Sequence, residues 1–177
     1  ICKEQLIAAN LDTAFVVTSC NNDFSLARLE RYVAMAHDAG VTPVIILSKI
    51  DLTTDPNAFA EQAQSISPQI SVVSVNARSP EASGFLRPWC QAGQTVAFLG
   101  SSGVGKSTLT NSLAGNEAIA TQDIRASDDR GRHTTTGRQL YILPSGCAVL
   151  DTPGMREIQL TDVSSGLEET FADLHAL

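Results

Sequence analysis

The sequence predicts an α/β fold, a mainly parallel sheet of six strands flanked by helices. Three observations carry that prediction. Short β-branched or apolar runs alternate with segments of helical period, and turn residues separate them. One strand-to-helix junction is a glycine-rich turn. At 177 residues, 43% apolar and 18% charged, the chain has enough apolar material for one domain with its own core, far from the composition of disordered chains.

Each element has its own local signal. The first strand is expected at Ala14 to Thr18. Leu26, Leu29, Val33 and Ala36 then recur at helical spacing, and Gly40 stands where a cap would end that helix. Val44 to Leu47 reads as the second strand. Asp55-Pro56 supplies an N-cap and a first helical proline for a helix through Ala63. Ser71 to Val75 and Thr95 to Leu99 are the third and fourth strands, and Ser107 to Ala114, stopped by Gly115, is the next helix. Gln139 to Leu143 and Cys147 to Leu150 complete the sheet, and a last helix is expected from near Gly166 to Leu177. Residues 116–136 lack clear periodicity. Loops longer than about 15 residues in compact domains are usually functional or mobile, so a mobile functional loop is expected here.

Composition narrows the function. Twelve Lys+Arg against 19 Asp+Glu give a net charge of −7, so bulk charge does not draw the chain onto nucleic acid or anionic membrane. Any RNA contact must be local. No apolar run reaches the roughly 18 residues of a membrane span, and the first residues lack a signal-peptide pattern. Cys2, Cys20, Cys90 and Cys147 show no metal-ligand spacing and read as reduced, mostly buried thiols of a cytoplasmic protein. His37 and His175 have no metal-spaced partner either. Phe15, Met35, Trp89, Phe98 and Tyr141 are expected in the core. The start at Ile1 leads to the expectation of a domain excised from a longer chain.

Gly100-Ser101-Ser102-Gly103-Val104-Gly105-Lys106-Ser107 fits G-x-x-x-x-G-K-[ST], with a strand before it and a helix after it. Glycines let backbone N–H groups turn inward around phosphate oxygens, and the following helix presents its positive end. The four fixed positions match by accident in roughly 1% of chains of this length, and the strand–turn–helix context lowers that further. The fold implied is therefore the P-loop NTPase fold. Candidate phosphate-side residues are Gly100, Ser102, Gly103, Val104, Gly105, Lys106, Ser107 and Thr108. Lys106 would neutralise the β and γ phosphates, and the Ser107 hydroxyl would join the shell of a Mg²⁺ ion.

Two further motifs end strands. Val44 to Leu47 runs into Ser48-Lys49-Ile50-Asp51. The Asp51 carboxylate could accept from the ring N–H and 2-amino group of guanine, a donor pair that adenine lacks, which favours GTP over ATP. Lys49 would lay its stem along the base. Ala148 to Leu150 runs into Asp151-Thr152-Pro153-Gly154, where Asp151 would hold Mg²⁺ through a water and the Gly154 amide would sense the γ-phosphate.

The order of these motifs is unusual, since the purine motif precedes the cradle and the D-x-x-G motif comes last. With Gly131-Arg132-His133-Thr134-Thr135-Thr136 and Asp151-Thr152-Pro153-Gly154-Met155-Arg156-Glu157, it resembles the ribosome small subunit-dependent GTPase A family, RsgA, over nearly all 177 residues. The resemblance implies a circularly permuted GTPase domain occupying residues 1–177. The family's preceding OB-fold domain and following zinc domain would lie outside this chain, and zinc is expected only in the latter. It implies GTP and GDP as ligands, Mg²⁺ as cofactor, and hydrolysis stimulated by the small ribosomal subunit and its rRNA during late subunit maturation. A monomer with no membrane partner is expected.

Two departures from the family pattern stand out. Ser48 occupies a position usually held by Asn or Thr; it keeps a hydroxyl but lacks the amide that commonly contacts the base and braces the cradle, which implies weaker guanine affinity. Asn76-Ala77-Arg78 stands where the family commonly has Ser-Ala-Lys, whose backbone caps the guanine oxygen.

Met155 follows D-x-x-G where many GTPases carry a water-orienting Gln, so another group must serve the catalytic step. His133 is the candidate; its alternative is a solvated loop histidine. Thr135 is the expected ligand of Mg²⁺ and γ-phosphate among the three threonines. Arg125, Arg130, Arg132 and Arg138 either pair with rRNA phosphates or form a solvated face balanced by Asp123, Asp128 and Asp129. An ATPase or nucleotide kinase on the same fold, and a nucleotide-dependent switch with negligible turnover, are the competing functions.

Overall fold

A computed structural model describes residues 10–115 and 139–151, with the side chains of 139 and 151 outside that description. In chain order its main elements are β1 Thr13–Ser19, α1 Leu26–Asp38, β2 Thr42–Ser48, α2 Pro56–Gln64, β3 Ser71–Ser74, α3 Ala82–Leu86, β4 Thr95–Leu99, α4 Lys106–Ala114, β5 Gln139–Ile142 and β6 Ala148–Asp151. All six expected strands are present, within two residues of their expected limits. They form one sheet in the order β3-β2-β1-β4-β6-β5.

The pairing explains the apolar runs. β1 lies between β2 and β4, parallel to both, with Phe15 beside Val44 and Phe98. Every residue of β1 is buried. A strand covered on both faces has no solvent side, so its sequence is continuously apolar rather than alternating. β3 adds parallel to β2, β6 adds parallel to β4, and β5 closes the far edge antiparallel to β6.

Alternate residues of the strands feed two cores. Phe15, Val17, Val44, Ile46, Val96, Phe98 and Val149 face Leu86 and Leu109 on one side. Ala14, Val16, Ile45, Leu47 and Leu99 face Leu29, Tyr32, Val33, Ala36 and Ala63 on the other. Phe15 and Phe98 are therefore core as expected, with ring centroids 5.1 Å apart. Trp89, Tyr141 and Met35 are only half-buried; Trp89 meets the Phe15 ring edge-on from the margin of the core. Cys20, Cys90 and Cys147 are buried free thiols, and Cys2 lies outside the described residues.

Local signals acted as the sequence implied. The Asp55 carboxylate accepts from the Ala58 amide at 3.1 Å, with Pro56 in the first turn of α2. Gly40, at φ +69°, lets the chain leave α1. The sequence did not disclose α3 or the 3-10 turns at Ile50–Leu52 and Arg87–Trp89. Helical periodicity needs more than the single i, i+4 pair, Ala82 and Leu86, that α3 buries. The expected helix from Gly166 and the loop 116–136 lie outside the described residues, as does His175. No helix among the described residues is long and apolar enough to cross a membrane.

This topology decides where a site can form. The chain builds from β1 outward through β2 to β3, then crosses back to place β4 on the other side of β1. Loops leaving the carboxyl ends of β1 and β4 therefore diverge in opposite directions. The crevice between them is the position at which open α/β sheets bind ligands.

Candidate functional site

The turn between β4 and α4 forms one wall of this crevice, and glycine is required in it for two different reasons. Gly100 has φ +139°, and a Cβ there would fall 2.1 Å from the carbonyl oxygen of Val17. The turn thus starts in backbone contact with β1, which excludes any side chain. Gly103 and Gly105, at φ +79° and +101°, have no comparable steric block; they supply backbone conformations that L-residues rarely adopt. Between them Val104 is 1% exposed and its side chain belongs to the α3/α4-side core, so the turn is anchored at its middle.

Lys106 and Ser107 open α4. The Lys106 ammonium donates to the carbonyls of Gly100 at 2.6 Å and Ser101 at 2.5 Å, which carries the charge back across the turn. Ser107 and Thr108 are exposed in the first turn of the helix. An ammonium, a hydroxyl, glycine-turn amides and a helix N-terminus make a donor set suited to a polyphosphate. The hydroxyl is also a fitting oxygen ligand for a hard cation such as Mg²⁺.

The opposite wall comes from β2 and β3. Ser48, the last residue of β2, is fully buried. Its hydroxyl lies 2.6 Å from the Val104 carbonyl oxygen and 3.1 Å from that of Thr18, donating to these acceptors. The sequence implied that replacing the usual Asn forfeits the brace on the cradle; the structure corrects this, because the serine hydroxyl reaches the cradle itself. Lys49 follows in the left-handed region, φ 57° and ψ 35°, and turns the chain into the 3-10 turn that presents Asp51 at the surface.

Beyond β3, the Asn76 side chain accepts from the Arg78 amide at 3.0 Å and so shapes its own turn. Ala77 is buried. A Cβ placed on Gly105 would lie 3.7 Å from that of Ala77 and 3.9 Å from that of Ser48. The glycine turn and the loops after β2 and β3 therefore meet at Gly105.

Ser48, Lys49, Asp51, Asn76, Ala77 and Gly100 to Thr108 thus share one end of the sheet. The backbone of Asp151 ends β6, adjacent to the cradle-bearing β4, while its side chain is outside the described residues. His133, Thr134, Thr135, Thr136, Gly154 and Met155 lie outside the described residues, as do Arg125, Arg130, Arg132 and Arg138. Among the described residues no group of three or more His, Cys, Asp or Glu could hold a metal ion. Sequence reasoning missed the carbonyls of Val17 and Thr18. These are backbone groups, and no residue type marks them.

Comparison with known proteins agrees with this arrangement. A model of the RsgA GTPase family matches residues 1–161. The Small ribosomal subunit biogenesis GTPase RsgA 2 of Vibrio parahaemolyticus is 53% identical over 174 residues, 98% of this chain and 49% of that protein. The Small ribosomal subunit biogenesis GTPase RsgA of Mesorhizobium japonicum is 52% identical over 176 residues, 98% of this chain and 51% of its own. This chain spans about half the length of the curated relatives it matches. Among solved structures, YjeQ from Thermotoga maritima superposes with a TM-score of 0.63 at 24% identity, over 84% of this chain and 50% of that one. YloQ, described as a circularly permuted GTPase, gives 0.58 at 23% identity, over 94% and 53%. The order of the Ser48-to-Asp51 loop before the glycine turn, the sheet order that brings them together and the match over residues 1–161 have one common explanation: this chain belongs to the RsgA GTPase family, with the circularly permuted P-loop fold.

Proposed function

We propose that this chain is the GTPase domain of a factor in small ribosomal subunit biogenesis, converting GTP and water to GDP and phosphate. The observation that supports it most is the meeting of the phosphate cradle with both purine-side loops at Gly105. A mononucleotide can bridge those walls, its phosphates on Lys106 and the glycine turn and its base against Lys49 and Asp51. The Asn76-Ala77 turn would offer backbone to the guanine oxygen.

Ser107, Thr135 and Asp151 are the residues proposed to hold Mg²⁺. When bound, Mg²⁺ neutralises charge on the β- and γ-phosphate oxygens. The chain's own part is to hold the triphosphate by Lys106 and the turn amides, to register the γ-phosphate at Gly154, and to orient the attacking water. Met155 has no donor for that last task. His133 is proposed to supply it, with Thr135 closing over the γ-phosphate. The relatives are named for the small ribosomal subunit, which is the partner and activator proposed here. Arg125, Arg130, Arg132 and Arg138 are proposed to pair with its rRNA phosphates. The factor would work in the cytoplasm as a monomer.

Calorimetry with GTP and ATP tests the ligand. The expected result is GTP binding at least about 100-fold tighter than ATP, with Asp51→Asn shifting preference toward xanthine nucleotides. Equal affinity for ATP would replace the reading by an ATPase or kinase. Single-turnover hydrolysis with and without small ribosomal subunits tests the activity. Stimulation is expected, with His133→Ala lowering the stimulated rate about 100-fold. Turnover that stays negligible with subunits present would leave a nucleotide-binding switch, and an unchanged His133→Ala rate would remove His133 from the mechanism.

A further inference from the structure

We propose that Cys90 and Cys147 form a paired modification site: a hydroperoxide oxidises the two thiols to one intramolecular disulfide, which staples the segment before β4 to the start of β6.

The argument begins with placement. In sequence the two cysteines lie on either side of the glycine turn, α4 and β5; in the fold Cys90 follows the 3-10 turn Arg87–Trp89, and Cys147 directly precedes β6. Backbone hydrogen bonds join the two segments. The Gly93 amide donates to the Gly146 carbonyl at 3.0 Å, and the Ala148 amide to that of Gln94 at 2.8 Å. A Cβ on Gly146 would lie 3.2 Å from that of Ala92, so the turns are packed against each other. Both thiols enter the core under α3 and α4, 4% and 0% exposed. Burial pushes Cys90 up to about 12 and Cys147 upward as well, and the next influence on each is the other thiol. A disulfide closes without rearrangement only where the backbone already holds two cysteines side by side, which these hydrogen bonds do. Cys20 belongs to the core on the opposite face of the sheet and is no competitor.

The closed structure keeps the pair unreactive, because the attacking species is the thiolate and burial suppresses it. The cover, however, is thin. Gln91, Ala92 and Gly93 on one turn and Pro144, Ser145 and Gly146 on the other are all exposed. Parting these turns wets both sulfurs, so oxidation passes through a local opening. One sulfur, as thiolate, then attacks hydrogen peroxide; the O–O bond breaks, giving a sulfenic acid and water. The second thiol displaces the sulfenic hydroxyl as a second water, and the S–S bond forms. The two thiols have lost two electrons and two protons, and one peroxide has become two waters. β4 and β6 run parallel and both start at this end of the sheet, whereas the crevice lies at their carboxyl ends. The staple therefore leaves the glycine turn untouched, yet closes a covalent ring through it, α4 and β5 that restricts the unfolded chain.

The test treats the protein with hydrogen peroxide at neutral pH in urea well below the unfolding transition, blocks remaining thiols by alkylation, and maps peptides with and without reductant. The expected product is a Cys90–Cys147 cross-linked peptide that reductant releases, formed several-fold faster as urea rises. Cys90→Ser and Cys147→Ser should each abolish it, and Cys20→Ala should not. The oxidised protein should unfold at a urea midpoint higher by about 1 M or more than the reduced one. Since the peptide map is read on the wild type, a serine variant that fails to fold leaves that result standing. Cys90 and Cys147 both alkylated after peroxide treatment, oxidation that ends in sulfinic acid, a cross-link to any other cysteine, or a lowered midpoint in the oxidised protein overturns the proposal. A rate indifferent to urea overturns the opening step.

Discussion

Gly100 and Gly103 are three positions apart in one turn, yet a methyl group would act on them through different physics. At Gly100 the added Cβ would overlap the Val17 carbonyl oxygen at 2.1 Å, and that oxygen belongs to the most buried strand of the sheet. Neither partner can retreat without moving β1 or β4. At Gly103 the space is open and only the positive φ resists. Gly100→Ala is therefore expected to cost about 3 kcal/mol or more in urea denaturation, against about 1 to 2 kcal/mol for Gly103→Ala. Equal costs would mean that conformation rather than steric overlap governs Gly100. The contrast also marks what a sequence discloses at this scale. The glycines were legible because the turn demands the absence of a side chain, and Lys106, Ser107 and Asp51 stand out in the sequence because the roles proposed for them each demand a particular side chain. The Val17 contact and the Ser48 brace were not, because both act on backbone carbonyls that any residue carries.

Elements were legible in proportion to how much of themselves they bury. β1, β2 and β4 are enclosed on both faces, and their unbroken apolar runs follow directly. β5 was recognisable for a different reason, as a short run beside a turn. It forms the sheet edge, where Leu140 and Ile142 remain 59% and 68% exposed and Tyr141 is half-buried. Tyr141 pairs with Val149, which faces the α4-side core. Leu140 and Ile142 thus project to the other face of the sheet, which is apolar in composition but not enclosed by α1 or α2. A pattern of alternating burial was therefore hidden in a sequence that is apolar on both faces. α3 is the opposite case. It is a real packing element that buries only Ala82 and Leu86, too few residues for a period to be seen. The loops after β2, β3 and β4 themselves needed no periodicity, since each begins at the carboxyl end of a strand that the sequence did reveal.

On the scale of the whole molecule, the site is the line along which two separate cores meet at one end of the sheet, and buried thiols report on both. Cys20 lies in the core under α1 and α2, and its amide donates to the Ser48 carbonyl at 3.0 Å. Cys90 and Cys147 lie together in the core under α3 and α4. Burial raises the Cys20 thiol from its ordinary 9.0 to about 11. Burial, then the charge and hydrogen bond of neighbouring Cys147, raises Cys90 to about 12. Cys147 is raised as well, again chiefly by burial. The sign of the effect on stability follows from which state loses its protons first. Below pH 9 both the folded and the unfolded chain keep these protons, and the stabilisation is fully present. Above it the unfolded chain releases protons that the folded chain still binds, so stability falls by about 1.4 kcal/mol per pH unit for each thiol until its folded pKa is passed. Urea denaturation under reducing conditions, between about pH 8 and about pH 10, should show this decline, below the range in which the likewise raised Tyr32 responds. Replacing Cys20 by Ala should remove one thiol's share of the slope, and replacing Cys90 and Cys147 should remove the rest. A wild type equally stable across that range would mean that the folded thiols ionise as freely as unfolded ones, and that neither core keeps water from its cysteine.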